Sequence, residues 1–577
     1  MNLFSIGTFI FFTLLVAFLS WKLTKDENLE SNTGYFLGGR SLSGVVIAGS
    51  LLLTNLSTEQ LVGMNAQAFN GGLSVVAWEV ISGLTLVFMA LYFLPRYLKS
   101  GFTTIPEFLE ERYDKGTRNI VAILFLISLG VIFLPVVLYS GGIALNSLLS
   151  VKDIFNVSEG TALMITIWGI GIIGGIYAVF GGLKAVAVSD TLNGVGLILG
   201  GILIPILGFF KMGDGNVIKG IENIFIEFPE KINVIGTSNS PVPFSTIFTG
   251  IILINTFYWC TNQSIVQRAF GAKSLKEGQK GVLYAGILKI FVPMILAVPG
   301  LIALSLYSSE ISHPDMAYPL LVNKLLPKPL IGFFGAVLFG AVLSSFNSAL
   351  NSASTLFCLN IYKPIFNSNI KDKDLVKVGK IFGIILGLSS ILVAPYIANA
   401  PDGLFAFMKK FMGFFNVPTL VIVLVGFFSK RIPPIAAKIS LFVFMTIYGV
   451  TQFVYKINIH FLHLLGILFV LCVAIMIIIG KLFPMKTEYK QTIKNDISFE
   501  AWKYANSFSG VTVVFLVYFY VLFSHYGIIG IPKEEIFSKF IYITLIFTAI
   551  SLVTFKMLLS SKKVDTEEIK ELKRETN

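Results

Sequence analysis

Apolar runs of about 20 residues, the length a helix needs to cross the hydrocarbon of a bilayer, recur along the whole chain between short polar connections. They fall at 4–23, 41–69, 72–98, 119–150, 160–181, 185–210, 244–268, 281–307, 329–360, 377–397, 403–428, 433–455, 461–482, 507–527 and 537–559. The pattern predicts an all-α polytopic membrane protein of about 15 spans. One run departs from it. Between Ser43 and Gln67 the chain is long and apolar enough to span, yet Thr54, Asn55, Ser57, Thr58, Glu59 and Gln60 cluster near its middle. Polar groups at that depth are costly unless they face a partner, a cavity or a bound ion. Flanked by Gly49 and Gly63, the cluster also marks a place where a membrane helix can break and turn its carbonyls toward a cation. Two soluble helices joined by a polar turn would read similarly, but the surroundings are too apolar for that alternative.

Composition agrees with the pattern. The 577 residues are 55% hydrophobic and 13% charged, against about 25% charged in soluble domains. The net charge of +12 does not point to nucleic acid, because about three-quarters of the 44 lysines and arginines fall in or beside alternate connections between spans. That asymmetry predicts an integral plasma (inner) membrane protein with its N-terminus outside and its C-terminus cytoplasmic. The first span, 4–23, lacks a basic leader and a small-residue cleavage site and is read as a retained helix. Cys260, Cys358 and Cys472 all lie in apolar runs, with no disulfide or zinc spacing. The outer loop 211–243 predicts a short amphipathic helix, and the mixed-charge tail 560–577 a solvated end.

Few ionisable residues lie within spans: Glu59, Glu79, Asp190, Lys289, Lys409 and Lys410. Each needs a partner or water, and pairing Glu79 with Lys289 would neutralise both; a solvated Glu79 near the end of its span is the alternative. Gln60 and Asn255 supply donors and acceptors together, and Tyr258 and Trp259 supply aromatic faces, a surface suited to a hydroxylated solute. The segment GAVLSSFNSALNSAST offers Ser344 and Ser345 hydroxyls, with small residues such as Ala341 allowing close backbone approach. Alone it reads as small-residue helix packing; beside a broken helix it reads as half of a site for a weakly held monovalent cation. No nucleophile, base and orienting group occur together, so the chain is not expected to be an enzyme. His460 and His463 could form a weak metal pair or be incidental.

Six ordered motifs identify a relationship: YFLGGRSLSG (35–44), NLSTEQLVGM (55–64), TIPEFLEERY (104–113), FGGLKAVAVSD (180–190), NQSIVQRAFGAKS (262–274) and SSFNSALNSASTLFCLNIYK (344–363). Over roughly 35–430 the chain resembles the sodium/solute symporter family, nearest in its motifs to the bacterial sodium/galactose symporter and the animal sodium/glucose cotransporters.

The resemblance implies a core of two inverted five-helix repeats, 41–210 and 244–428, with the first and sixth core helices broken. One extra helix precedes them and four peripheral helices follow, over 433–559. It implies sodium-coupled symport of a neutral sugar, a hexose such as glucose or galactose, by alternating access; another small solute, such as an inositol, an amino acid or a carboxylate like sialic acid, is the alternative. A transporter-fold sensor is a more distant one. Carried over by position, the co-transported sodium ion falls on Leu53, Leu56, Ala341, Ser344 and Ser345, with Asp190 on its exit route. Sugar contacts fall on Gln60, Glu79, Asn255 and Lys289, an inner gate on Tyr258, and an outer gate on Met64, Trp78 and Phe405. Lys409 stands where the family has a sugar-facing amide, and is expected either to crowd the sugar or to pair with Glu79 and leave Lys289 for the ligand. Ala341 replaces a serine of a second ion site in some relatives, which implies one sodium per cycle. The absence of an arginine in the middle of 119–150 argues against an anionic substrate.

Overall fold

A computed structural model describes residues 3–25, 31–399, 404–455, 457–491 and 498–575. Their regular structure is helical, with two isolated bridges, Leu42 to Ala272 and Ser274 to Ser498, among the described residues. The helices used below are α1 (Leu3–Thr24), α2 (Gly44–Asn55), α3 (Thr58–Gly71), α4 (Ala77–Phe88), α5 (Leu134–Leu149), α6 (Glu159–Met212), α7 (Gly250–Cys260), α8 (Gln263–Phe270), α9 (Leu275–Phe291), α10 (Lys328–Leu356), α11 (Leu404–Phe428), α12 (Pro434–Gly449), α13 (Phe461–Leu482), α14 (Ala505–Leu522) and α15 (Lys533–Glu575).

Twelve helices among the described residues are long and apolar enough to cross a membrane, and two bent pairs raise that to fourteen. The bent pairs are α2 with α3, at 57°, and α9 with Pro293–Tyr307, at 45°. The run expected over 244–268 is two shorter helices, α7 and α8. The first break is written in the backbone. Leu56 leaves the helical region and Ser57 is extended, so α3 restarts at Thr58. At the second, Thr261 and Asn262 leave the helical region, and the Asn262 side chain accepts from Ser264 N at 3.0 Å to start α8. The bend within the run expected over 281–307 follows from Pro293, which has no N–H to continue the ladder.

The two spans expected at 160–181 and 185–210 fall within one helical stretch of 54 residues, α6, as Glu159–Tyr177 and Leu183–Met212. Fifty-four residues are far more than one crossing of the roughly 30 Å hydrocarbon core needs. The loop after α6 carries the amphipathic helix predicted for it, Val217–Glu227.

The interior is built around α2, α6, α9 and α10. α10 lies against α6, α5 and α1, while α9 packs on α2 and α4. α1 is peripheral, held to α6 by Ser20 Oγ donating to Ala185 O (3.0 Å) and stacked on α10 through Phe9 and Phe339. α15 touches α14 and leaves Phe537, Leu545 and Met557 exposed, as a lipid-facing helix does.

Close approach fixes one glycine. A Cβ on Gly300 would lie 2.2 Å from Asn65 O, and Gly300 N donates to Asn65 Oδ1 at 2.8 Å. Gly300→Ala is therefore expected to push Val298–Tyr307 off α3 and destabilise the protein by about 1–3 kcal/mol. A lowered melting temperature of the detergent-solubilised protein checks this; an unchanged one contradicts it.

Candidate functional site

The breaks at 56–57 and 261–262 bring polar groups from α2, α3, α4, α7 and α11 to one narrow cavity of about 30 Å³, room for about one water. Asn55, Glu59, Gln60, Glu79, Asn255, Tyr258, Trp78 and Lys409 line it. Their polar atoms are largely spent on one another. Glu79 forms a buried ion pair with Lys289, whose ammonium also donates to Asn55 Oδ1 and lies 5.6 Å from the centre of the Trp259 ring. With its amide turned to satisfy both of its atoms, Gln60 donates to Asn55 O (2.9 Å) and Glu79 Oε1 (3.2 Å) and accepts from Asn55 Nδ2 (3.1 Å). Ser82 Oγ donates to Asn255 Oδ1 at 2.7 Å.

The pairing of Glu79 with Lys289 is the neutralising one, and solvation of Glu79 is not needed: it is 1% exposed. Lys289 stands one layer behind the cavity wall, reaching it through Glu79 and Asn55. Lys409 stands on the cavity wall itself. Its ammonium lies 5.1 Å from the centre of the Trp78 ring and within electrostatic reach of Glu59, whose carboxylate accepts from Ser57 Oγ. Glu79 is held by Lys289 on α9, a pairing across helices that periodicity alone does not specify.

Tyr258 lies in the cavity wall with its ring edge-on to Trp259. Trp78 also lines it, whereas Met64 is buried further along α3 and does not. The Phe405 side chain is outside the described residues.

Toward the end of α2, Ser345 Oγ of α10 donates to Thr54 O at 3.2 Å, so the serine pair and the break meet. Leu53, Leu56 and Ala341 are buried beside them. Carbonyls freed by the break and two hydroxyls are a donor set for a hard monovalent cation. Ser344 Oγ and Asp190 Oδ1 are both buried, and the two groups face each other.

Arg268 is the residue that sequence reasoning missed. It is wholly buried and pairs with Asp190 at 3.3 Å, donating also to Ser50 Oγ (2.7 Å), Ser348 Oγ and Ser264 O. It stands at the last position of the run expected over 244–268. The available signal was a polar stretch, NQSIVQR, directly after an apolar one. The same stretch ties several elements together. Gln267 Nε2 lies 2.7 Å from Phe36 O, 3.0 Å from Asn351 Oδ1 and 2.9 Å from Thr355 Oγ1. Gln263 accepts from Ile105 N (3.0 Å) and donates to Thr103 O (3.1 Å). Leu42 exchanges backbone bonds with Gly271 and Lys273, and Glu277 accepts from Gly44 N.

His463 is engaged with the hydroxyls of Ser245 (3.2 Å) and Thr249 (3.1 Å), and the His460 and His463 rings are 6.3 Å apart.

A helical membrane protein whose polar pocket lies between two broken helices is built as a secondary transporter. The chain belongs to the sodium:solute symporter family, matching it over residues 35–443. It is a sodium-coupled solute symporter, not an enzyme, and sodium is a transported substrate. Among its relatives, the uncharacterized symporter YidK of Escherichia coli is 50% identical over 87% of this chain and 88% of that protein. The sodium/glucose cotransporter of Vibrio parahaemolyticus is 31% identical over 70% of this chain and 77% of its own length. The human sodium/myo-inositol cotransporter is 29% identical over 73% and 62%, respectively. The fold matches that of a Na+-coupled sialic acid symporter in a substrate-bound outward-open state, with a TM-score of 0.71 and 22% identity, over 85% of this chain and all of that one. It is the fold of transporters made from inverted repeats.

Proposed function

We propose that the protein carries a neutral sugar, a hexose, into the cell with one sodium ion by alternating access. The observation that carries this is the Glu79 and Lys289 pair, joined to Asn55, Gln60 and Asn255 at the two helix breaks beside the Tyr258 and Trp78 rings. Carboxylate, amide and ammonium groups can exchange their mutual bonds for a sugar's hydroxyls without creating net charge, while an aromatic face covers its C–H surface. The named solutes of the glucose and myo-inositol relatives agree with a polyhydroxylated substrate. The cavity is too small for a ring, so binding must separate these side chains, and their regrouping is what a substrate adds to the transport cycle.

Sodium on Leu53, Leu56 and Ala341 carbonyls and the Ser344 and Ser345 hydroxyls would tie α2 to α10 and set the position of Asn55 and Gln60. The ion's hold and the sugar's then reinforce each other equally. Asp190, next to Ser344, would receive the ion on its way out. One sodium moving through about 100 mV supplies about 2.3 kcal/mol, and a tenfold gradient about 1.4 more, enough to concentrate a neutral solute several-hundredfold. The basic connections support an outside N-terminus and a cytoplasmic C-terminus.

A second reading, another small solute, is favoured by the inositol relative and by the fold match to a sialic acid symporter. Against an anion stands α5, which carries no arginine. Counterflow in proteoliposomes with labelled hexoses, myo-inositol, sialic acid and proline, each with sodium, lithium or potassium, separates the readings. Sodium-dependent exchange of a hexose is expected. Exchange of sialic acid or proline alone ends the sugar reading, and exchange indifferent to sodium ends the coupling described here.

A further inference from the structure

Only part of the pocket's charge is accounted for by the Glu79 and Lys289 pair. On the cavity wall itself, Glu59 from α3 and Lys409 from α11 face the same narrow space. Glu59 is 3% exposed and is held by Ser57 Oγ, while Lys409 is set over the Trp78 ring. Each lies in the other's field, and Lys409 also feels Lys289. The lysine sits where the family resemblance places an uncharged amide, and the charge it adds is answered from within the same wall.

We propose that Glu59 and Lys409 form a counter-charge couple that sets the charge selectivity of this pocket, Glu59 excluding acidic sugars and Lys409 excluding amino sugars. This rests on the sugar reading above and names the residues that restrict it to uncharged members. In a small space of low polarity the field of one carboxylate is barely screened. A hexuronate would bring its carboxylate next to Glu59, and an amino sugar would bring its ammonium next to Lys409; like charges so placed repel strongly. A neutral hexose meets a wall whose charges cancel. Removing either member leaves the other to attract the opposite charge. Glu59→Gln is thus expected to admit sugar acids, and Lys409→Gln to admit amino sugars.

The test is competition, in proteoliposomes with an inward sodium gradient, against uptake of the labelled hexose that the wild type accepts best. Glucuronate and glucosamine are the competitors. In the wild type both should compete at least about tenfold more weakly than the unlabelled hexose. Glu59→Gln should improve glucuronate about tenfold or more relative to hexose and leave glucosamine excluded. Lys409→Gln should do the reverse. If a variant loses transport, the same ranking is read from ligand-induced shifts in the melting temperature of the purified protein. A variant that keeps the wild-type ranking in either assay overturns the proposal. A wild type that takes up no hexose overturns the sugar reading instead, so the two failures are distinguishable.

Discussion

Lys289→Ala is expected to lower sodium-driven sugar uptake by at least a hundredfold. The substitution leaves Glu79 buried without its counter-ion, and breaking a buried pair from one side costs about 3–5 kcal/mol, or more than two decades in an equilibrium constant. It also removes the donor to Asn55 Oδ1, so the end of α2 loses its anchor to α9. Glu79→Gln should be milder, because the glutamine can still accept from the ammonium and Asn55 remains bound to it. The comparison separates charge balance from packing: Glu79→Ala combined with Lys289→Ala should recover thermal stability but not uptake. Initial rates of labelled-hexose uptake, with melting temperatures of the same preparations, make the measurement. Uptake by Lys289→Ala within about threefold of wild type, under 1 kcal/mol, would contradict the role given to the pair.

Replacing both Ser344 and Ser345 by alanine should abolish the stimulation of uptake by sodium. A bond from a neutral group to a charged one contributes about 1.5–3 kcal/mol, so losing two hydroxyls should raise the sodium concentration for half-maximal uptake by about a hundredfold or more. Ser345→Ala alone also frees Thr54 O, the link between α10 and the break. Because coupling is reciprocal, sugar affinity measured at low sodium should fall with it, while affinity without sodium should be unchanged. Accumulation against a gradient that persists undiminished in the double variant would remove sodium from these positions.

Much of the architecture was legible from hydrophobic patterning, because a bilayer permits so few solutions: runs of spanning length are helices, and a polar cluster inside one is a break or a site. The cluster at 54–60 and the bend after Asn55 coincide for that reason. The pairing of Glu79 with Lys289 was also accessible, since two opposite charges in hydrocarbon must find each other. What periodicity cannot supply is which faces meet. Arg268 and Asp190 are 78 residues apart and pair through the last turn of the short helix α8. The nearness of Lys409 to Glu59 and the Trp78 ring is of the same kind. The positions assigned to sodium and sugar came from motif resemblance, not from spacing.

The seam through Gln263, Gln267, Leu42 and Glu277 bears on leakage. Its bonds come from four separate stretches of chain and share two glutamines, so they cannot be released one at a time without stranding a buried donor or acceptor. Loosening either glutamine is therefore expected to break several bonds at once. If the two repeats part along this seam during transport, a half-open form would be disfavoured, and with it the slippage of ions when no solute is present.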